Sequence, residues 1–281
     1  MLNIYKMRYS GDLVLNLLQQ KLLEMLAWLT KYIDDNNLRY YIIGGTMLGA
    51  VRHEGFIPWD DDIDIAMPRN DYEKLIKLLK CPIDHYVMES PKGDAEDYKY
   101  SYAKFYDLNT SMTELARKNV KRGVYIDIFP LDGIGNSLEE AYNNYRRIDR
   151  ANMLLAMKSC TYRKGRKWWK NFAVFLGGLL PINSKRLAQK MDQLCSEHAF
   201  DDCKYVGSLA STYRSHEIMD KGWYGKPTPY KFEGLTVYGP EKYEEYLTQL
   251  YNDWRRLPPE EERHSNHNFI DIDLNKPYFD I

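Results

Sequence analysis

Residues 57–67 read IPWDDDIDIAM, and this run places four aspartates within five positions of an otherwise apolar segment. Side chains alternate between the two faces of a β-strand, so Asp62 and Asp64 share one face while Ile63 and Ile65 point into the core. Two carboxylates this close resist ionising together, and a divalent cation removes the conflict. Hard oxygen ligands suit Mg²⁺ or Mn²⁺. The alternative is an exposed strand edge with solvated charges, which the apolar neighbours disfavour.

A third acid lies in a second apolar run, GVYIDIFPLDG, residues 123–133. Asp127 is the inward acid of this predicted strand, whereas Asp132 falls in the following turn and is interpreted as structural. Metal-assisted phosphoryl chemistry uses a cation to bridge phosphate oxygens and a carboxylate to accept the proton of the attacking hydroxyl. The sequence therefore predicts that Asp62, Asp64 and Asp127 are both the metal ligands and the catalytic residues.

A phosphate-binding turn is predicted shortly before the aspartates. Gly44 and Gly45 let backbone N–H groups approach an anion closely, and Thr46 is expected to open a helix whose N-terminus favours negative charge. Arg52 and His53 lie between this turn and the acidic strand. They are candidates to hold phosphate oxygens, and ordinary surface positions are the alternative.

Hydrophobic periodicity predicts a mixed α/β core followed by a mostly helical part. Asp12 is expected to cap the first helix, and Asn70 with Glu73 is expected to form a capping box for another. The predicted helices are a first one ending near Ile33 and others over 46–53, 71–80, 138–158 and 184–200. The predicted strands cover 39–45, 61–67, 86–90, 99–106 and 123–129, and 232–247 is expected to be a hairpin leading into a helix. The chain is predicted to consist of a catalytic core over 1–135 and a helical and mixed part over 136–281.

Composition narrows the function classes. The chain has 281 residues, with 39 Lys and Arg against 40 Asp and Glu, so its charge does not indicate a nucleic-acid partner. Four cysteines without CxxC spacing favour a reducing cytoplasm. The N-terminus lacks the features of a signal peptide, and no apolar run reaches the ~20 residues that span a bilayer.

One segment indicates contact with a membrane surface. Residues 162–186 place five basic residues and two tryptophans before the short apolar run FAVFLGGLL. This pattern is typical of an interfacial helix at an anionic membrane, which would suit a protein at the inner face of the membrane. The alternative is a buried core helix with a basic flank, or a subunit contact.

Together these residues resemble the LicD family. The segment over 41–75, YIIGGTMLGAVRHEGFIPWDDDIDIAMPRNDYEKL, is similar to the family signature, and 123–133 and 246–263 match two further motifs. The resemblance implies an α+β fold: a polymerase-β-like nucleotidyltransferase core, with a mixed sheet and flanking helices, plus a mostly helical C-terminal part. It assigns phosphate binding to the glycine turn and metal binding to the three acids. It also gives Asp60 a less direct role in orienting its neighbours.

The resemblance also implies an activity. LicD-like proteins transfer a phospho-alcohol, typically phosphocholine, from a CDP-activated donor to a hydroxyl of a glycan or its lipid-linked precursor, and CMP leaves. The related fukutin-related proteins transfer ribitol phosphate. Two alternatives stay open from the residues alone: a nucleotidyltransferase that acts on a small acceptor, and a catalytically silent glycan- or nucleotide-binding subunit. Retention of the three repelling carboxylates speaks against the silent subunit.

Two basic residues complete the expected donor site. Lys104 resembles a basic family position that holds the diphosphate, with a surface salt bridge to nearby Asp107 as the alternative. Arg263 belongs to the distal motif, in a cluster of Arg and His residues around a Pro-Pro turn. This chain carries Asn252 where the family commonly has glycine. The distal motif is expected either to close over the donor or to brace the core.

Overall fold

A mixed sheet carries the acidic strands. The computed structural model describes residues 16–162, 165–265 and 269–279. The strands are β1 (Tyr41–Ile42), β2 (Asp64–Pro68), β3 (Tyr86–Glu89), β4 (Ala103–Glu114), β5 (Lys121–Gly135), β6 (Tyr205–Gly207), β7 (Met219–Asp220), β8 (Thr228–Phe232), β9 (Leu235–Gly239) and β10 (Phe269–Asp273). The main sheet has the order β1-β2-β5-β4-β10, β3 pairs with β4, and β6 pairs with β5 and β7. The β8–β9 hairpin forms a sheet of its own.

Helices flank this sheet. They are α1 (Leu17–Asp35), α2 (Gly44–His53), α3 (Arg69–Leu78), α4 (Leu138–Ser159), α5 (Trp168–Leu179), α6 (Ser184–Cys195), α7 (Lys221–Tyr224) and α8 (Tyr243–Tyr251). Single 3₁₀ turns lie at Arg214–Glu217 and Glu260–Glu262. The fold is thus mixed α and β, with both parallel and antiparallel strand pairs, and is compatible with the predicted α+β class.

Helix α1 follows the predicted periodicity. Leu22, Leu26 and Leu29 are fully buried against the sheet. The helix begins at a capping box: Asn16 Oδ1 accepts the backbone N–H of Gln19, and the Gln19 side chain accepts the N–H of Asn16. Asp12, the expected cap, lies outside the described residues.

Several predicted boundaries were wrong, including the end of strand β5, which continues to Gly135, and the end of helix α6, which lies at Cys195. Helix α2 begins at Gly44, two residues before Thr46. Strand β2 begins at Asp64, so Asp62 lies in the extended loop before the strand. Helix α3 begins after Pro68, which makes no side-chain cap.

The capping box predicted for α3 is absent because the helix begins at Arg69, which places Asn70 inside the first turn; Glu73 has charged partners instead. The Glu73 carboxylate contacts Lys92 at 2.6 Å and Arg69 at 3.4 Å. Arg69 is also held by buried acids elsewhere in the fold, and ion pairs of this kind outweigh a local backbone bond. The partners of Glu73 include a residue distant in sequence, so the local pattern Asn-x-x-Glu did not reveal them.

Residues from both halves of the chain build the main core. The apolar cluster that contains Leu26 and Ile65 also contains Phe232, Val237 and Tyr246, and β10 adds to the same sheet as β2. A second cluster lies mainly between α4 and α6. The division at residue 135 stays a prediction. Within the described parts of the chain, every helix is too short or too polar to cross a membrane.

Candidate active site

Strand register brings three charged residues into one row across β2, β5 and β4. Asp64 lies opposite Asp127 in the parallel β2–β5 pair, and Lys104 lies opposite Asp127 in the antiparallel β4–β5 pair. The Lys104 ammonium contacts Asp127 Oδ1 at 2.7 Å. Ile63 and Ile65 are fully buried on the other face. The predicted alternation of acids and isoleucines is therefore confirmed for this stretch.

The two aspartates of this row are hard to ionise together. Burial raises the pKa of Asp64 well above its ordinary value, and the negative charges of Asp62 and Asp127 raise it further. Burial also raises the pKa of Asp127 to about 6, although Lys104 opposes the shift. Carboxylates that repel one another in a buried site are the donor set that a hard divalent cation stabilises. The residues thus fit the expected Mg²⁺ or Mn²⁺.

The loop before β2 brings three further carboxylates together. One carboxylate oxygen from each of Asp60, Asp61 and Asp62 lies within 4.8 Å of the other two. Asp61 is buried and accepts a hydrogen bond from Ser265 Oγ at 2.6 Å. Gln19 Nε2 donates to the backbone carbonyl of Asp60 at 2.8 Å. Helix α1 and the distal segment therefore fix the acidic loop from two sides.

Lys104 occupies a buried cage, and the interpretation as a surface salt bridge with Asp107 was wrong. The Lys104 residue is 1% exposed. The ammonium lies 3.3 Å from the centroid of the Tyr125 ring and 4.0 Å from Glu114 Oε1. Tyr100 and Tyr125 both donate hydrogen bonds to Glu114.

Glu114 stays ionised inside this cage. Burial works to raise its pKa, but Lys104 and the two tyrosine hydrogen bonds outweigh burial and lower the pKa to about 2. The cage therefore surrounds the Lys104 side chain and directs its ammonium at Asp127. Whether Lys104 also reaches a diphosphate stays a prediction.

The glycine turn lies against the acidic loop. Gly44 has a φ of +55°, a conformation that L side chains rarely adopt. A Cβ placed on Gly45 would lie 2.6 Å from Asp60 Oδ2. Thr46 Oγ1 accepts the backbone N–H of Asp64 at 2.9 Å. The structure thus gives Thr46 a positioning contact with Asp64, while phosphate binding by this turn stays a prediction.

Tyrosines of the second half cover this turn, and the sequence did not identify them. Tyr246 Oη accepts the N–H of Gly44 at 2.9 Å. The hydroxyls of Tyr213 and Tyr251 are 2.5 Å apart, and the Tyr213 ring and the Tyr251 hydroxyl both lie within 4 Å of the position of a Cβ on Gly44. The only signal was that Tyr246 and Tyr251 fall in the distal motif over 246–263.

Arg52, His53 and Arg263 form a separate basic cluster at the far end of α2. Nine residues of helix put this end about 13 Å from the glycine turn. Arg52 Nε lies 3.1 Å from His53 Nε2. Burial lowers the pKa of Arg52, and the positive charge of Arg263 lowers it further. Burial and Arg52 likewise lower the pKa of His53.

This cluster is held by the distal segment. Arg52 Nη1 donates to the carbonyl of Trp254 at 3.2 Å, and the Arg263 guanidinium lies 5.7 Å from the Trp59 ring. Within the described residues Arg52 has no carboxylate within ion-pair distance. Partly buried cations of this kind suit an anion, as predicted for a donor phosphate.

The distal segment begins at a residue with a backbone conformation that favours glycine. Asn252 has a φ of +57° at the end of α8. The segment braces α2 through Tyr246 and Trp254. Arg255 instead forms an exposed ion pair with Glu244, and His267 lies outside the described residues.

Asp132 is structural, as predicted, but it lies within strand β5 and pairs with Gly207 of β6, so its predicted position in a turn was wrong. It is fully buried and accepts two hydrogen bonds from Arg69, at 2.7 and 2.6 Å. Arg69 also contacts the buried Asp192 at 2.7 Å. This network joins α3, β5 and α6 away from the acidic row.

Comparison with known proteins identifies the family. Residues 37–170 match the family described as LicD/FKTN/FKRP, nucleotidyltransferase domain. The lipopolysaccharide cholinephosphotransferase LicD of Haemophilus influenzae is 30% identical over 262 residues, which cover 90% of this chain and 96% of that protein. The chain belongs to the LicD family. The human ribitol 5-phosphate transferase FKRP is 26% identical over 165 residues, which cover 51% of this chain and 32% of that protein. The family places the chain among transferases of phosphate-linked groups.

Proposed function

We propose that this protein transfers phosphocholine from CDP-choline to a hydroxyl of a cell-surface glycan or of its lipid-linked precursor. CMP is the second product. Membership of the LicD family supports the proposal, together with the cholinephosphotransferase activity named for its Haemophilus influenzae relative. The free state of Cys81, Cys160, Cys195 and Cys203 suits a reaction in the cytoplasm.

The observation that carries the proposal is the row formed by Asp64, Asp127 and Lys104. Register fixes it across three strands, and the glycine turn lies directly beside it. Buried acids next to a turn of backbone N–H groups and a charged lysine are the parts that phosphoryl transfer needs. The same arrangement supports a polymerase-β-like core for the first half of the chain.

The acceptor oxygen forms a bond to the phosphorus that bears choline, and the bond from this phosphorus to the bridging oxygen of CMP breaks. The hydroxyl proton passes to a carboxylate, and we assign this role to Asp127. Lys104 holds the Asp127 side chain in orientation. Arg52, His53 and Arg263 lie at the other end of α2, about 13 Å from the glycine turn, so we assign them to an anionic group of the donor or acceptor away from the reacting phosphorus.

A divalent cation, Mg²⁺ or Mn²⁺, would be held by Asp62, Asp64 and Asp127. It would neutralise the carboxylates and the phosphate oxygens during transfer. Asp60 orients the loop through its contacts with Gln19 and the glycine turn. Without a cation, the raised pKa of Asp64 shows that the ionised cluster is electrostatically unfavourable.

Calorimetric titration of CDP-choline into the protein, with Mg²⁺ and with EDTA, tests the proposal. We expect Mg²⁺-dependent binding well above that of CTP, CDP-ribitol and CDP-glycerol. Asp64→Asn should abolish Mg²⁺-dependent binding. Asp35→Asn is the matched control, because Asp35 is an exposed acid paired with Lys31 on α1. Absence of binding to every donor would overturn the proposal in favour of a silent subunit.

Product analysis separates the proposal from nucleotidyl transfer, which the family description keeps open. With donor and a glycan acceptor, release of CMP supports attack on the phosphorus that bears choline. Binding of CTP with release of pyrophosphate would instead assign nucleotidyl transfer. If the protein prefers CDP-ribitol, the proposed type of reaction stands, but the transferred alcohol is ribitol and not choline.

A further inference from the structure

Helix α5 exposes a continuous apolar stripe. Its members recur at helical spacing along one face, so they form a single strip about three turns long. The stripe consists of Trp168 (79% exposed), Phe172 (54%), Phe175 (59%), Leu176 (43%) and Leu179 (67%), and Trp169 beside it is 52% exposed. Soluble surfaces rarely display this many large apolar side chains together, so the stripe indicates a contact surface.

The inner face of the same helix is already packed. Val174 and Gly177 are buried, and a Cβ on Gly177 would lie 2.5 Å from the carbonyl of Met157 on α4. Lys158 Nζ donates to the carbonyls of Gly178 and Leu180 and fixes the end of the helix. The exposed stripe is therefore a second apolar face and not the core face of a misplaced helix.

The surrounding charge has one sign. Residues 150–191 contain ten Lys and Arg and no Asp or Glu, although the whole chain has a net charge of −1. Lys167, Lys170, Arg186 and Lys190 are exposed, and none of them forms an ion pair with a carboxylate in the described parts of the chain. This belt of cations beside the stripe suits an anionic surface.

We propose that α5 docks on an anionic lipid bilayer, with the apolar stripe inserted at the level of the headgroups and the exposed cations against the lipid phosphates. Tryptophans at the start of the helix favour this depth, because indole rings partition to the membrane interface. A second copy of the chain is a weaker match, since a symmetric contact would bring two acid-free cationic belts together. The inference is independent of the transferred alcohol.

Flotation of the full chain with vesicles tests this surface. One set of vesicles contains phosphatidylcholine alone, and the other contains equal parts of phosphatidylcholine and phosphatidylglycerol. We expect binding to the anionic vesicles that falls at high salt. The double variant Phe172→Ser/Phe175→Ser should bind at least about tenfold more weakly, because it removes two inserted rings. The charge variant Lys167→Glu/Lys170→Glu should lose binding to the anionic vesicles in particular.

A matched control removes exposed apolar surface elsewhere. Leu138→Ser on α4 alters a side chain that is 50% exposed, and it should bind vesicles like the parent chain. Circular dichroism shows whether every variant is folded, and CDP-choline binding is measured separately, so failure of the lipid surface and failure of the proposed function are distinguishable. Equal flotation of the parent chain and the double variant would overturn the inference. So would a dimer in sedimentation that the double variant abolishes, without vesicle binding.

Discussion

Replacing Lys104 by methionine removes the ammonium that contacts two acids, the buried Asp127 and the half-buried Glu114. The ammonium contacts Asp127 at 2.7 Å and Glu114 at 4.0 Å, and 1% of the residue is exposed. Methionine keeps the length of the side chain and removes its charge. The variant therefore tests whether this cation is structural or incidental.

The size of the effect follows from Glu114. Lowering its pKa from the ordinary 4.5 to about 2 corresponds to about 3 kcal/mol of stability at pH 7. Lys104 is the main cause that opposes burial, and its loss also leaves Asp127 unpaired. We expect Lys104→Met to reduce the free energy of unfolding by about 3–5 kcal/mol at pH 7.

The loss of unfolding free energy caused by Lys104→Met should be smaller at lower pH. The depressed pKa of Glu114 contributes stability above pH 4.5 that the parent chain loses only as the pH approaches 2. In the variant, the pKa values of Glu114 and Asp127 rise, so both carboxyls become neutral at moderately acidic pH. Protonation relieves their repulsion, and the difference between variant and parent should be smaller at pH 5 than at pH 8.

Urea unfolding followed by circular dichroism measures this cost at pH 5 and pH 8. Lys31→Met is the control, because the pair of Lys31 with Asp35 is exposed and should contribute less than about 0.5 kcal/mol. The double variant Lys104→Met/Asp127→Asn should lose less than the sum of the single variants. A cost for Lys104→Met below about 1 kcal/mol, with no dependence on pH, would refute the role given to the cage.

Three further predictions concern other positions. Gly45→Ala should change the free energy of unfolding by less than about 1 kcal/mol, because Asp60 can rotate away from the new methyl, yet calorimetry should show about tenfold weaker donor binding. Arg69→Met leaves the fully buried Asp132 without its partner and should cost about 3–5 kcal/mol in urea unfolding; a cost near zero would contradict the structural assignment. Burial raises the pKa of Glu217 from 4.5 to about 7, so ionised Glu217 destabilises the fold as the pH rises. Glu217→Gln should therefore stabilise the protein by up to about 3 kcal/mol at pH 8 and by little at pH 5, measured as thermal unfolding at both values.

Local sequence patterns predicted the helices and strands whose formation depends mainly on residues close in sequence. The periodicity of α1, the helix over 138–158 and the hairpin before α8 are present in the structure, with small shifts at their ends. The alternation of acids and isoleucines predicted β-strands around Asp64 and Asp127, because side chains alternate between the two faces of a strand. The resemblance to LicD proteins also came from contiguous motifs.

Long-range contacts explain what the sequence did not reveal. Asn70 and Glu73 matched a capping box, but Glu73 contacts Lys92 and Arg69 instead. Lys104 lies beside Asp107 in sequence, yet strand pairing aims it at Asp127 on the next strand. Neither partner can be recognised before the register of the sheet is known.

By itself, the sequence determined which residues carry charge, which segments form strands and helices, and which family the chain resembles. The tertiary structure determined which of the charged side chains contact each other. It placed Asp64, Asp127 and Lys104 in one row, brought Arg263 to Arg52 across the chain, and set Tyr213, Tyr246 and Tyr251 over the glycine turn. The reason is physical: secondary structure follows local periodicity, whereas electrostatic partners are chosen by the packing of segments distant in sequence.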